Sequence, residues 1–478
     1  MAARHLPATH LAALLGSAAD SSPAYQAIAD GLRLLIADGR ILYGTRLPSE
    51  RELTAALGVS RTTVARSYAE LRDRGYLSSR RGSGSVATLP GGPQPPTSNV
   101  LMPSGQDTSF IDLTCAAPAA PPGTAQAYAD ALDELPAYLA GSGYYPTGLP
   151  VLREALAERF AERGLPTDPD QIIVTTGALA GVAIAARTLT GVADRVLVET
   201  PTYPNSIAAL RRSGARLVGV PVEPSGPDPD VLDGALRRTR ATAALLIPDF
   251  HNPTGALMPD HIRARVARSL QDAGTTAIVD ETMVELGLGD AGHAAPMATF
   301  ASNTLTVGTA SKSFWGGLRI GWLRAPHDRV GAVTEARLSL DLGAPVLEQL
   351  VLVHLLRQRE ALLAARRQQL TASRAALAAA LADQLPDWRF ALPAGGLALW
   401  CELPEPLSSA LAAAAERHGV LLASGPRFSV EGGLERFIRL PYTLEPDTLR
   451  EAVGAIAVAW SEARRRRSAT SRRRPWVA

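Results

Sequence analysis

Residues Thr309–Trp322 read TASKSFWGGLRIGW. The stretch holds Lys312, the sole lysine of a 478-residue chain in which 48 positions are lysine or arginine. A guanidinium stays protonated inside proteins and cannot condense with a carbonyl, whereas a lysine amine can lose its proton and attack one. A bias toward arginine accounts for the missing lysines elsewhere. At 312 either a chance remnant stands or a position where arginine fails, and the neighbours decide. The apolar run TLTVG before Lys312 predicts a strand, which puts the lysine at a strand's C-terminal end, where open α/β sheets hold their ligands. Arg319 follows among glycines that permit close backbone approach.

Working outward, QIIVTT, RVLVETP, RLVGVPV, AALLIPD and TAIVDE alternate with amphipathic helical patterns, the signature of a parallel α/β sheet. In VTTGALAGVAIAARTL a strand turns into a helix, so Thr176, Gly177 and Ala178 present backbone N–H groups suited to a phosphate. Asp280 ends the run TAIVD, where a carboxylate can pair with a protonated ring nitrogen. Tyr203 follows RVLVETP and can cover a flat ring, and Asn252 lies in the turn DFHNPTG. Singly, these are a helix-entry glycine, a core aromatic, a helix cap and a turn residue. Together, at strand ends, they suit one ligand, pyridoxal 5'-phosphate.

The length allows two or three domains, and an apolar fraction of 46% is that of a globular protein. Cys115 and Cys401 lie far apart without metal or disulfide spacing, which fits a reducing compartment and two small buried residues. No apolar run reaches membrane-spanning length without a charge; the nearest, Ala178 to Val192, contains Arg187. LAALLG near the start is too short for a signal core. The expected location is therefore cytoplasmic, away from any membrane. The net charge of +2 hides an uneven distribution: both ends are arginine-rich, and the body between them is acidic. Basic ends suggest a polyanionic partner for those ends. The tail ARRRRSATSRRR reads equally as a solvated, disordered end.

RLPSERELTAALGVSRTTVARSYAELRDRGYLSSRRGSGSV is the first readable motif in chain order. Ser49 and Glu52 fit a capping box opening a helix whose apolar face is Leu53, Ala56 and Leu57. Gly58 ends it and Ser60 caps the next, where Val64, Tyr68 and Leu71 share one face. Gly75 stops that helix, and LSSRRGSGSV reads as a hairpin. Helix, tight turn, helix and hairpin make a winged helix-turn-helix, which reads double-stranded DNA with the N-terminal residues of its second helix, here Ser60, Arg61, Thr62 and Thr63. Arg51 and Arg66 suit phosphates, and Arg81 with Gly82 forms the wing tip. A small helical dimerisation domain is the plainer alternative. The expected divisions are 1–88 for this domain, 89–109 for a Pro/Gly/Ser-rich linker, 110–460 for the α/β body and 461–478 for a basic tail.

LPSERELTAALGVSRTTV closely resembles the GntR-type winged helix, which implies DNA contacts at Arg51, Arg61, Thr62 and Thr63 beside the Arg81–Gly82 wing. Ala65 departs where some members place another arginine. YYPTGLPVLREAL, TTGALAG, ETPTYPN, DFHNPTG, VDET, TASKSFWGGLRIGW and FIRLPYT resemble the fold-type I, class I/II aminotransferases. That resemblance implies a mostly parallel sheet flanked by helices, with a smaller C-terminal α+β lobe. It implies a Schiff base of Lys312 with pyridoxal phosphate, Asp280 on the pyridine nitrogen, Asn252 on the ring hydroxyl and Tyr203 over the ring. Thr176, Gly177, Ala178, Thr309 and Arg319 would hold the phosphate, Arg439 an effector carboxylate, and Tyr144 or Tyr145 would reach a partner subunit of a homodimer. Where many aminotransferases have a tyrosine just after the aspartate, this chain has Thr282 and Met283, a departure that weakens the case for transamination. The two halves in this order resemble the MocR/GabR-type regulators, implying a pyridoxal phosphate-dependent transcriptional regulator that senses a small amine, an amino acid or the cofactor itself. The alternative is a working aminotransferase with a DNA tether. No metal site is expected.

Overall fold

Two successive helices of the N-terminal module begin where a serine side chain satisfies a backbone N–H group that a helix cannot satisfy itself. In the computed structural model, which describes residues 4–37, 40–41, 44–80, 84–88, 100–101, 109–223, 225–289 and 294–472, Ser49 caps the helix Glu50–Leu57. Its Oγ accepts from Glu52 N–H at 3.3 Å, and the Glu52 carboxylate accepts from Ser49 N–H at 2.7 Å. Gly58 then takes the left-handed conformation at φ 66°, which lets the chain turn sharply into Arg61–Asp73. Ser60 caps that second helix by accepting from Thr63 N–H at 3.1 Å. Leu53, Val64, Tyr68 and Leu71 are buried against Ile28 and Leu32 of the helix Ala24–Ala37. The buried Tyr68 hydroxyl donates to the Pro48 carbonyl at 2.9 Å, so it carries no unmet polar cost. The hairpin Leu77–Arg80 with Gly84–Ala87 completes the winged helix.

The body is built on an eight-stranded sheet. Across it run Ile172–Thr175, Gly321–Arg324, Thr304–Thr309, Thr276–Asp280, Ala243–Leu246, Arg195–Thr200, Arg216–Glu223 and Gly226–Pro227. The inner strands pair in parallel and are buried on both faces, which explains their unbroken apolar runs. The sheet is mostly parallel, as expected, and Gly321–Arg324 is an exception within it: it runs antiparallel to both neighbours. The chain reverses there because Arg319 adopts a positive φ of 51° and the Ala310 N–H bonds back to the Ile320 carbonyl at 3.0 Å. Gly321 allows this strand to lie against the start of the next element, since a Cβ there would sit 2.6 Å from the Gly177 carbonyl carbon.

A smaller lobe holds a three-stranded antiparallel sheet of Ala398–Glu402, Phe437–Pro441 and Ala423–Ser424, covered by the helices Arg359–Gln384, Ser408–Arg417 and Pro446–Arg472. Ile111–Asp112 pairs with Val420–Leu421, so the first strand of the body belongs to this lobe. The expected break between Trp460 and Ser461 does not occur: one helix runs through to Arg472. Ala459, Trp460 and Ala463 keep its apolar face buried, and Arg464 pairs with Glu405 at 2.7 Å. The basic tail thus begins as helix rather than as a separate disordered end. Among the described residues no helix is long and apolar enough to cross a membrane.

Candidate functional site

The C-terminal ends of the central strands open into a cavity of about 270 Å³ at the meeting of body and lobe. Lys312 enters it from the short helix Ala310–Ser313, which follows directly on the strand Thr304–Thr309. Thr309 fixes that turn: its Oγ1 accepts from Ser311 N–H at 3.1 Å and donates to the Ile320 carbonyl at 3.2 Å. On the far side Ser313 donates to Glu285 at 2.6 Å, and Glu285 is ion-paired with Arg159. The lysine Nζ donates to the Ala116 carbonyl at 2.7 Å. Lys312 is half-buried by surface, with its open side on the cavity. Desolvation pulls its amine below the usual lysine range, and the nearby Arg439 and Arg319 cations act in the same direction. A weakly basic amine is the form that attacks carbonyls.

Asp280 sits beside it, buried, with Oδ1 accepting from Thr282 N–H at 2.9 Å. Burial raises its carboxyl above the usual range; the Thr282 hydrogen bonds and the Lys312 charge oppose this only in part. Among the described residues Asp280 has no ion pair within salt-bridge distance, and a protonated ring nitrogen would supply one. Tyr203, Asn252 and Ala178 line the same space. Burial also raises the Tyr203 phenol. Asn252 is held by its turn. Asp249 forms a two-pronged pair with the buried Arg263, at 2.7 and 3.3 Å, and Arg263 also donates to the Met258 carbonyl at 2.8 Å. Glu199 braces the same turn by accepting from Ile247 N–H at 2.7 Å.

Arg319 lines the cavity and donates to the Thr176 carbonyl at 2.9 Å. Thr176 itself lies on an adjoining groove rather than on the cavity wall. Gly177 takes a φ of 110°, which favours glycine, and a Cβ there would come within 2.8 Å of the Arg319 guanidinium. Arg439 comes from the lobe strand Phe437–Pro441 and is fully buried. It donates to the Thr114 carbonyl and to Asn252 Oδ1, the latter at 3.3 Å, and its guanidinium lies 5.1 Å from the Phe428 ring centre. Its Nε has no hydrogen-bond partner among the described residues. Burial lowers its pKa to about 10, which leaves it cationic at neutral pH.

Two expected partner-reaching residues lie elsewhere. Tyr144 is 64% exposed, and Tyr145 packs edge-on against Tyr138 at 6.2 Å. Cys115, expected as a small buried residue, instead lines the cavity between the two carbonyls that hold Arg439 and Lys312. In the N-terminal module Arg51, Arg61 and Thr62 are exposed at the start of their helices, while Ser60 and Thr63 share a hydroxyl contact at 2.8 Å. Among the described residues the ion pair of Arg61 is with Glu50, at a long 3.9 Å, and the Arg66 guanidinium stacks over Tyr25 at 3.7 Å. Arg81 and Gly82 lie outside the described residues.

Comparison with known proteins agrees with both halves. Residues 123–456 match the model of aminotransferase class I and II, and residues 24–86 that of the bacterial regulatory proteins of the gntR family. The chain belongs to the aminotransferase class I and II family and carries a gntR-family domain ahead of it, the order found in MocR/GabR-type regulators. It is 31% identical to the 2-aminoadipate transaminase of Thermus thermophilus over 66% of this chain and 81% of that protein. It is 28% identical to the HTH-type transcriptional regulator TauR of Rhodobacter capsulatus, over 89% of this chain and 94% of that one. Among solved structures, LysN, the alpha-aminoadipate aminotransferase of Thermus thermophilus complexed with N-(5'-phosphopyridoxyl)-L-leucine, superposes with a TM-score of 0.68 at 28% identity. That match covers 74% of this chain and 93% of LysN.

Proposed function

We propose that the protein is a cytoplasmic DNA-binding transcriptional regulator whose aminotransferase-like domain holds pyridoxal 5'-phosphate at Lys312 and senses an amino compound or the cofactor itself. The observation that carries this is the chain's one lysine, with a depressed pKa, facing the buried Asp280 in a cavity that Arg319 and Arg439 also line, on a chain with a gntR-family domain. The cofactor's aldehyde would supply the electrophile that an amine-bearing effector exchanges onto. Lys312 acts as the nucleophile, and the Ala116 carbonyl aims its Nζ. Asp280 favours a cationic ring nitrogen, Asn252 the ring hydroxyl, and Tyr203 covers the ring face. Thr176, Gly177, Ala178, Thr309 and Arg319 form the phosphate end. Arg439, with its spare Nε–H, takes a carboxylate of the effector. For binding to reach the DNA, the effector must favour one arrangement of the two domains over another.

Exposed Leu139, Tyr144, Leu338, Leu340 and Leu342 support a homodimer, with Tyr144 or Tyr145 turned toward the partner. A Cβ at Gly343 would sit 3.0 Å from the Tyr145 carbonyl oxygen, so these two segments lie side by side. On the DNA side, Arg51, Ser60, Arg61, Thr62, Thr63 and Arg66 with the Arg81–Gly82 wing form the reading surface. The test is DNA affinity at fixed salt, without ligand, with pyridoxal phosphate and with a panel of amines. An affinity that moves with ligand in the unmodified protein and not in Lys312→Ala supports the reading; an identical response in both removes it.

A second reading, a working aminotransferase, is favoured by the likeness to the 2-aminoadipate transaminase. Against it, the buried Met283 lines the cavity where many relatives have a phenol. Repeated turnover between an amino donor and a keto acceptor would establish it.

A further inference from the structure

The cavity has a wall that does not come from the aminotransferase-like body. Leu101 lies within the Pro/Gly/Ser-rich stretch between the DNA module and the body, yet it lines the same cavity as Lys312 and Arg439. It is only 7% exposed and packs with Phe428, Ala423, Tyr203 and Trp400. Two of those neighbours touch the proposed chemistry: Tyr203 lines the cavity, and Phe428 lies under the Arg439 guanidinium.

The hold on this residue is specific. Asn205, in the helix Pro204–Arg212, accepts from Leu101 N–H at 2.7 Å and donates through Nδ2 to the Leu101 carbonyl at 3.0 Å. A side-chain amide thereby satisfies both polar groups of one residue's backbone, as a neighbouring strand would. Arg427 adds a third bond to the Val100 carbonyl at 3.0 Å. A buried leucine clamped at both backbone groups is a fixed surface.

Resting on the reading of this cavity as a cofactor and effector site, we propose that Leu101 is a specificity-determining wall for the side chain of the bound amino compound. Asn205 is its positioning residue. Arg439 fixes the carboxylate and Lys312 marks the amine, so the side chain of an α-amino acid must point to a remaining wall, and Leu101 is the apolar one tied to the DNA module. A small side chain leaves the clamp intact. A bulky one displaces Leu101, loosens the Asn205 bonds and so reaches the linker.

The test uses the full chain loaded with pyridoxal phosphate and two probes, L-alanine and L-phenylalanine. Visible absorbance of the lysine-bound cofactor is followed together with hydrogen exchange at the Leu101 amide. Exchange should be slow with the cofactor alone and with L-alanine, and faster with L-phenylalanine. Leu101→Ala should shift the affinity ratio toward L-phenylalanine by about tenfold, a typical yield for pocket bulk, while Leu101→Val shifts it less. Unchanged discrimination in Leu101→Ala, or Leu101 exchange indifferent to both probes, overturns the assignment while leaving the cofactor reading in place. An unmodified protein that stays colourless with excess cofactor overturns both.

Discussion

Arg61, Thr62 and Thr63 are consecutive residues on the first turn of one helix, and the first two are open to solvent. Asp280 ends one strand, Lys312 stands on the short helix that follows another, Arg439 lies within a strand of the smaller lobe, and the three meet around one cavity. The first arrangement spends almost no folding energy on its working groups, because water still solvates them. The second desolvates each group, and the structure must answer with partners: the Ala116 carbonyl for Lys312, the Thr282 N–H for Asp280, Thr114 and Asn252 for Arg439. Substitutions at the exposed start of the helix Arg61–Asp73 should therefore cost little stability, whereas those around the cavity change stability as well as chemistry.

The sharpest break between the regions is Lys312→Ala. It should abolish visible cofactor absorbance altogether while DNA affinity without ligand stays within about twofold, since exposed surfaces distant from a substitution are usually unaffected; absorbance and a DNA titration read both. Next is Arg263→Ala, which strands the buried Asp249 under the DFHNPTG turn. It should cost about 3–5 kcal/mol in denaturant unfolding of the body. A body that unfolds at the unmodified midpoint would show that this buried pair is dispensable. Arg61→Ala is smaller: about 1–3 kcal/mol of DNA affinity with relaxed base preference, and unchanged cofactor absorbance. Smallest is Ser49→Ala, which removes the capping box and should lower the stability of the N-terminal module by about 1 kcal/mol in thermal unfolding.

What the sequence discloses follows the same division. The capping box at Ser49 and Glu52, the Gly58 turn and the buried Val64, Tyr68 and Leu71 are local, so spacing alone expresses them. The inner strands were equally plain because burial on both faces leaves continuous apolar runs. Gly321–Arg324 escaped because four residues after a glycine turn carry no period, and its antiparallel direction depends on Arg319. Lys312, Asp280, Asn252 and Tyr203 are legible through residue type beside predicted strands, and they line one cavity. The backbone groups that hold the site together over long stretches of chain are not legible in this way. The Ala116 carbonyl is 196 residues from Lys312, and Leu101 is 104 from Asn205. No spacing rule reports a carbonyl's direction, and Asn205 inside ETPTYPN looks like any residue opening a helix. The helical start of the basic tail was hidden by its arginines, although Trp460 and Ala463 extend the apolar stripe beneath them.

The placement of the sole lysine inside a braced cavity has a practical corollary. A lysine-specific endoprotease has one bond to cut in the whole polypeptide, the one after Lys312, and the fold guards it. Digestion into two fragments thus becomes a gauge of unfolding. After borohydride treatment, the fraction that resists cleavage even when denatured counts the molecules whose amine had been claimed.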